Sequence, residues 1–392
     1  MNHPSRTPLH WDIFCRVIDN LGDAGVCWRL AADLATRGEY VRIFIDHPEI
    51  LPGLIGNSPV VQLVEVQTWS DDPQCFLDLD IADVVIEAFA CDIPSAYLDA
   101  MNVANKPIAW INLEYLSAES WVESHHGMPS PHPRLNLTKH FYFPGFTSTT
   151  GGLLREPEIT SLLQSSEWMQ PAESEAPLKI LLFSYEQPNI GRWLDSIQNG
   201  NIKTSLSVTP CPAKIQVENW LCSQTNHENL RVEPQEFVAQ HEFDALLSRF
   251  DVLFVRGEDS FVRAQWAGKP LIWHIYPQEE DSHLIKLQAF YDRYLDQGIL
   301  SPAQRSIFWA FVLAWNTRFA ENALAELWPQ LMAMLPALSE NAQAWRKQLL
   351  QQPDLVTQLR DFVSHLVKCY VSRVGHYGRH ATRFNLKKAR RV

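Results

Sequence analysis

The chain has 392 residues, is 46% hydrophobic and 20% charged, and carries a formal net charge of −12. That length allows two or three domains, and that composition allows a sizeable core. The acidic balance argues against sequence-independent binding to nucleic acid or an anionic membrane through the whole surface.

The first half alternates strands and helices. Strand patterns cover Trp11 to Ile18, Val41 to Asp46, Val60 to Trp69, Asp83 to Phe89 and Pro107 to Glu114. Helical patterns cover Val26 to Thr36, with Gly38 just beyond its end, and Pro94 to Asn102, with Pro in the first turn. Continuous apolar strands in such alternation imply a parallel sheet covered on both faces. Composition shifts to Ser, Glu, Pro and Ala over 165–177, which reads as an interdomain linker.

A second alternating series follows. Strands are expected at Leu178 to Tyr185, Ser205 to Thr209, Leu230 to Glu233, Val252 to Val255 and Pro270 to Tyr276. Helices are expected at Ile190 to Gln198, Ala213 to Cys222, Phe243 to Phe250, Asp259 to Ala267 and Asp281 to Leu295. Residues 302–370 read as helical throughout, rich in Trp, Leu and Ala. These last helices are expected to pack on the second domain, with a crossing back to the first left open. A basic stretch ends the chain, from Arg373 through Arg379, Arg383, Lys387, Lys388, Arg390 and Arg391. It reads as a solvated tail, with a contact to RNA or an acidic protein as the alternative.

The seven cysteines are odd in number and irregularly spaced, with no CxxC pair. That points to reduced thiols, not a disulfide framework or a zinc site. The N-terminus has no apolar signal core and no run reaches membrane-spanning length, so a cytoplasmic location is expected.

Two turns carry the chemistry. In each, an apolar strand runs into Gly and acidic residues and then a helix, which makes an anion site from unpaired N–H groups at a positive helix end. The first is Asp19-Asn20-Leu21-Gly22-Asp23-Ala24-Gly25, where Gly22 and Gly25 let backbone approach a ligand. One Asp suffices to cap a helix; Asp19 and Asp23 together exceed that need. The second is Arg256-Gly257-Glu258-Asp259-Ser260. In the bland reading Asp259 or Ser260 caps the helix and Glu258 is solvated. In the functional reading the N–H groups around Asp259 and Ser260 hold a diphosphate, and Glu258 accepts from a sugar or ribose hydroxyl. Arg263 and Gln265 on that helix read equally well as core-edge residues. His274 reads as a satisfied strand histidine more readily than as a base. Tyr185 could stack on a nucleotide base and Gln240 could read its edge. Glu114 and Glu119 lie near the cleft side of the first domain, either touching a cationic acceptor or opening the next helix. GxGxxG, Walker A, HExxH and GxSxG patterns are all absent, which leaves a dinucleotide oxidoreductase poorly supported.

Two doubly wound, Rossmann-like domains facing a cleft, with C-terminal helices, describe an α/β protein of GT-B architecture, by fold analogy with nucleotide-sugar glycosyltransferases. The domain reading is 1–164, linker 165–177, second domain with helices 178–370, and tail 371–392.

Ile18 to Val26, Glu87 to Pro94, Glu114 to Glu119, Gly151 to Glu156, Arg256 to Gln265 and Trp273 to Gln278 together resemble the EarP family of protein-arginine rhamnosyltransferases. The motifs occur in the family's order over most of the chain, and weaken in the linker, over 199–230 and after about residue 295. The resemblance implies an inverting, metal-free enzyme that moves rhamnose from dTDP-β-L-rhamnose to an arginine of elongation factor P, which then rescues ribosomes stalled at polyproline. It implies Asp19 and Asp23 as catalytic carboxylates, with Glu258. It implies Asn20, Gly22, Glu258, Asp259 and Ser260 at the donor, with Tyr185 and Gln240 beside the thymine. Ala239 stands where the family pattern has Pro. A guanidinium is protonated and a poor nucleophile, so a carboxylate pair could grip and orient it and take its proton. Asp23 is read as the base and Asp19 as its orienting partner. The rivals are a GT-B transferase with another acceptor or deoxysugar, a nucleotide-sugar epimerase, and a non-catalytic protein-binding module.

Overall fold

The computed structural model describes residues 7–18, 21–70, 72–76, 79–104, 106–157, 159, 176–224, 228–317 and 321–369. Asp19, Asn20, most of the 165–177 linker and the 371–392 tail lie outside the described residues.

The first domain is built on a seven-stranded sheet. Its strands are β1 (His10–Cys15), β2 (Tyr40–Ile45), β3 (Val64–Thr68), β4 (Val84–Ala88), β5 (Ala109–Leu113), β6 (Pro129–Pro131) and β7 (Thr138–Tyr142). Their spatial order is β3-β2-β1-β4-β5-β7-β6, and only β6 runs antiparallel to its neighbour. The second domain has five parallel strands: β8 (Leu178–Leu182), β9 (Thr204–Val208), β10 (Leu230–Pro234), β11 (Val252–Arg256) and β12 (Leu271–His274). Their order is β10-β9-β8-β11-β12. Each order reverses once, between β1 and β4 and between β8 and β11. In open α/β sheets ligands bind beyond the strand ends at such a reversal.

Apolar side chains explain the layers. Trp11, Ile13, Ile43, Ile86 and Ile111 of the first sheet pack on one face with helix Leu21–Thr36, while Phe14, Phe44, Val85 and Trp110 pack on the other. The second domain buries a single large cluster around Leu181, Phe254, Trp193 and Trp315. The helix over 355–369 leaves that domain and sets Leu355, Val356, Leu359 and Val363 into the first sheet's core. The crossing back to the first domain is therefore present.

Several expected elements differ. The first helix begins at Leu21, not Val26, because Gly22, Asp23 and Gly25 are its opening turns and not a preceding loop. The Val60 to Trp69 strand is a 3-10 turn, Pro59–Leu63, followed by the shorter β3. The continuous helix expected over 302–370 is divided into Pro302–Asn316, Ala323–Ala333, Leu335–Leu349 and the helix over 355–369. Pro302 and Pro336 sit in first turns, where a missing N–H costs nothing.

Candidate active site

The two sheet reversals face each other across a cleft. From the first domain, β1 leads through Ile18 to helix Leu21–Thr36, and β4 leads into Phe89, Ala90 and Asp92. These three non-glycine residues have φ of 56°, 54° and 55°. Left-handed backbone at such residues costs energy and persists where neighbours enforce it. Here Phe89 donates its N–H to Leu113, Ala90 donates to the Asn112 side chain, and the Phe89 ring stacks on Tyr115 at 4.2 Å.

From the second domain, β11 ends at Arg256 and turns at Gly257, whose φ of +68° suits glycine. Helix Asp259–Ala267 follows and closes at Gly268 in left-handed conformation. No side chain caps its N-terminus. Neither Asp259 nor Ser260 takes the expected capping role, because both are already inside the first turn. The first helical N–H groups have no intrahelical acceptors, and Gly257, Asp259 and Ser260 line a cavity of the cleft. Trp273 braces the turn from behind, donating its indole N–H to Gly257 O at 3.2 Å and stacking on Phe261 at 3.8 Å.

Asp23 is buried in the first turn of helix Leu21–Thr36. Its Oδ2 accepts from the Ile18 N–H at 2.9 Å and its Oδ1 from the Tyr115 hydroxyl at 3.2 Å. Asp23, Gly22, Tyr115, Glu258, Lys286 and Tyr276 share one cavity of about 190 Å³. Glu258 enters it from the other domain, and its Oε2 accepts from the Leu116 N–H at 3.0 Å. It is therefore not the solvated acid of the bland reading. Burial pushes its carboxyl up to about 7, with Asp23 and Asp259 adding to the rise and Lys286 and the Leu116 N–H opposing it. Burial in turn lowers the Lys286 ammonium, against the pull of Glu258, Glu119 and Glu114. Lys286 lies 5.6 Å from the Tyr115 ring centroid. Glu114 is held by Asn112 and lies well before the helix Trp121–His125, whereas Glu119 is held by Ser117 and its carbonyl accepts from the Val122 N–H at 3.3 Å in that helix's opening turn.

A second cavity continues around the turn, lined by Gly22, Phe183, Gln240, Gly257, Asp259 and Ser260. It leads to an open cleft of about 910 Å³ that holds Tyr185, Arg256 and Tyr276. The Arg256 guanidinium lies over Phe183 at 5.0 Å and Tyr185 at 4.6 Å, a cation beside aromatic faces. His274 is nine-tenths buried, shares a 2.7 Å hydrogen bond with Ser184, and is pushed down to about 3 by burial and by Arg256. It is a neutral, satisfied strand histidine.

Gly25, Gln240 and Asp259 meet behind this cavity. The Gln240 amide donates to Gly25 O at 2.8 Å and to Asp259 Oδ2 at 2.9 Å. A Cβ on Gly25 would come within 3.2 Å of that amide. Gly25 thus serves close approach of the two domains, not of a ligand. Asp259 lines the cavity while Arg29 Nε holds its Oδ1 at 2.6 Å. Arg29 also reaches Glu156 at 3.0 Å, and Glu156 bridges to Arg263, which grips Asp244. Although burial pushes the other way, Arg263 and Arg29 hold the Glu156 carboxyl down to about 2. Arg263 and Gln265 are core residues, Gln265 accepting from the Trp345 indole at 2.9 Å.

Six of the sequence candidates therefore gather at the cleft: Gly22, Asp23, Gln240, Glu258, Asp259 and Ser260, with Tyr185 beside them. Sequence reasoning missed Tyr115, Lys286, Tyr276 and Arg29, and it passed over the ring-facing role of Arg256; Tyr115 and Tyr276 lie inside motifs already singled out. Among the described residues no group of three His, Cys, Asp or Glu side chains is arranged to hold a metal. None of the described helices is long and apolar enough to cross a membrane.

Residues 11–364 match the family described as elongation factor P rhamnosyltransferase EarP. The chain belongs to this family. A protein-arginine rhamnosyltransferase of Pseudomonas putida is 40% identical over 379 residues, covering 90% of this chain and 98% of the relative. One from Neisseria meningitidis is 36% identical over 386 residues, covering 93% and 98%. A solved structure presented as the structural basis for EarP-mediated arginine glycosylation of translation elongation factor EF-P is 29% identical, with a TM-score of 0.60 over 91% of this chain and 99% of that one. MurG of Acinetobacter baumannii, 14% identical with a TM-score of 0.54 over 91% of this chain and all of that one, shares the fold. The chain is a glycosyltransferase of GT-B architecture, of the protein-arginine rhamnosyltransferase type.

Proposed function

We propose that this enzyme transfers rhamnose from dTDP-β-L-rhamnose to an arginine side chain of elongation factor P, with inversion, without a metal, in the cytoplasm. The observation that carries the reading is one cavity into which Asp23 and Glu258 bring carboxylates from opposite domains, beside an uncapped helix N-terminus.

The acceptor guanidinium is a cation, and a cavity lined by carboxylates suits it. Asp23 is held by Ile18 and Tyr115, so its orientation is set before the acceptor arrives. As a guanidinium nitrogen bonds to the anomeric carbon, that carbon's bond to the diphosphate oxygen breaks, and the nitrogen's proton passes to Asp23. Attack from the face opposite the leaving group inverts the anomeric centre. Asp19 is the orienting partner in this reading, and Glu258 anchors the donor's sugar at the turn. The departing diphosphate gathers negative charge, which the N–H groups of Asp259 and Ser260 and the helix dipole stabilise in place of a metal ion. Tyr185 and Gln240 flank the thymine, with Arg256 sharing the open cleft with Tyr185 as a cation for the nucleotide's phosphates.

The test is release of dTDP from dTDP-rhamnose with and without elongation factor P, in chelator. The reading predicts release only with the acceptor present, undiminished by chelator, and a product whose anomeric configuration by NMR is opposite to the donor's. Activity lost to chelator and restored by Mg²⁺ would overturn the metal-free step. Turnover of donor alone would favour the epimerase reading, and turnover only with a different acceptor would replace elongation factor P.

A further inference from the structure

Arg29 is almost wholly buried, and through it the first domain touches the donor turn of the second. It stands nearly two helical turns beyond Asp23 on the same helix. Its Nε holds Asp259 Oδ1 at 2.6 Å, its Nη1 holds Glu156 at 3.0 Å, and its Nη2 donates to Gln240 O at 3.1 Å. Gln240 then returns its amide to Asp259 Oδ2 and to Gly25 O of the first domain. Both oxygens of Asp259 are thereby engaged from outside the cleft. This matters because Asp259 opens the helix at which a diphosphate would sit. An un-neutralised carboxylate there would repel the ligand in a site where charges are weakly screened.

We propose that Arg29 is a positioning residue for donor binding, which reaches across the domain interface behind the cleft to neutralise Asp259 and so readies the helix end for a diphosphate. The inference rests on the nucleotide-sugar reading of this site. Arg29 touches neither donor nor acceptor; it acts through Asp259.

The experiment is calorimetric titration of dTDP, in metal-free buffer, into the full chain and three variants: Arg29→Met, Arg29→Gln, and Arg29→Met with Asp259→Asn. Circular dichroism checks that each is folded. Arg29→Met is expected to bind roughly ten-fold more weakly, the scale of an ordinary coupling between two sites. The double variant is expected to recover most of that loss, because the exposed carboxylate is gone. Arg29→Gln keeps a hydrogen-bonding side chain and lacks the charge; it is expected to show the same loss, and it decides the matter if Arg29→Met does not fold. Wild-type affinity in a folded Arg29→Met or Arg29→Gln, or a double variant no better than Arg29→Met, would each overturn the proposal. A wild-type chain that binds no dTDP would overturn the donor reading itself, and the Arg29 role with it.

Discussion

Asp23 and Glu258 reach one cavity from opposite domains, but their surroundings suit them to different tasks. Asp23 is oriented by an N–H and a phenol, as a general base should be. Asp23→Asn keeps the shape and removes the proposed base; kcat should fall about 10²–10⁴-fold, the usual worth of general-base catalysis, with donor affinity little changed. Steady-state kinetics beside calorimetry would separate the two. Glu258 is held up near pH 7, so its ionised form is lost on mild acidification. If the ionised carboxylate is the working form, kcat/KM should rise with pH through about 7, and Glu258→Gln should flatten that limb. Lys286 lowers this value, so Lys286→Met should move the limb to higher pH, whereas a purely structural lysine would leave it in place. The same shift bears on stability. Between the ordinary 4.5 and about 7 the folded chain holds a proton that the unfolded chain has lost, so stability contributed by Glu258 declines as pH rises through that window. Urea melts at several pH values should show a smaller decline for Glu258→Gln. Asp23 and Glu258 were legible in the sequence because each follows a strand in a Gly-bearing turn. Arg29 was not: its partner Asp259 lies 230 residues away, and no local pattern encodes that contact.

At the scale of elements, the turn at Gly257 joins conformation to function most directly. Its φ of +68° places an alanine there in strained backbone. Gly257→Ala should cost about 1–2 kcal/mol of stability by urea unfolding. It should also weaken dTDP binding, because the turn aims the helix N-terminus. An unchanged affinity would mean that the helix end does not hold the diphosphate. Helices Ile190–Gln198 and Asp259–Ala267 have the bounds their apolar spacing predicts. The start at Leu21 was missed because Gly22, Asp23 and Gly25 have turn chemistry; here the packing of Gly25 against Gln240 overrides that local preference. Strands β6 and β7 were missed for a related reason. Pro129 and Pro131 read as loop, but β6 is an edge strand, where proline is tolerated.

The whole molecule is two cores tied by chain as well as by contacts. The helix over 355–369 returns to the first domain and buries Leu359 completely in that sheet's core. Arg37 adds an ion pair to Asp354 at 2.9 Å. Leu359→Ala should cost about 2–5 kcal/mol by urea unfolding, the range for emptying such a site. If the first domain folded without this helix, the loss would be far smaller. The doubly wound plan was legible from alternating apolar strands. The return of the last helix was legible only as an open alternative, since its amphipathic pattern fits either domain.

The central claim is that this cleft joins a donor rhamnosyl group to an arginine of elongation factor P through Asp23. Intact mass of elongation factor P after incubation with the enzyme and dTDP-rhamnose, beside an Asp23→Asn control, tests it most directly. The account predicts a gain of one deoxyhexose on a single arginine, absent or nearly so with the control. No gain with the wild-type enzyme, or the same gain with Asp23→Asn, would contradict it.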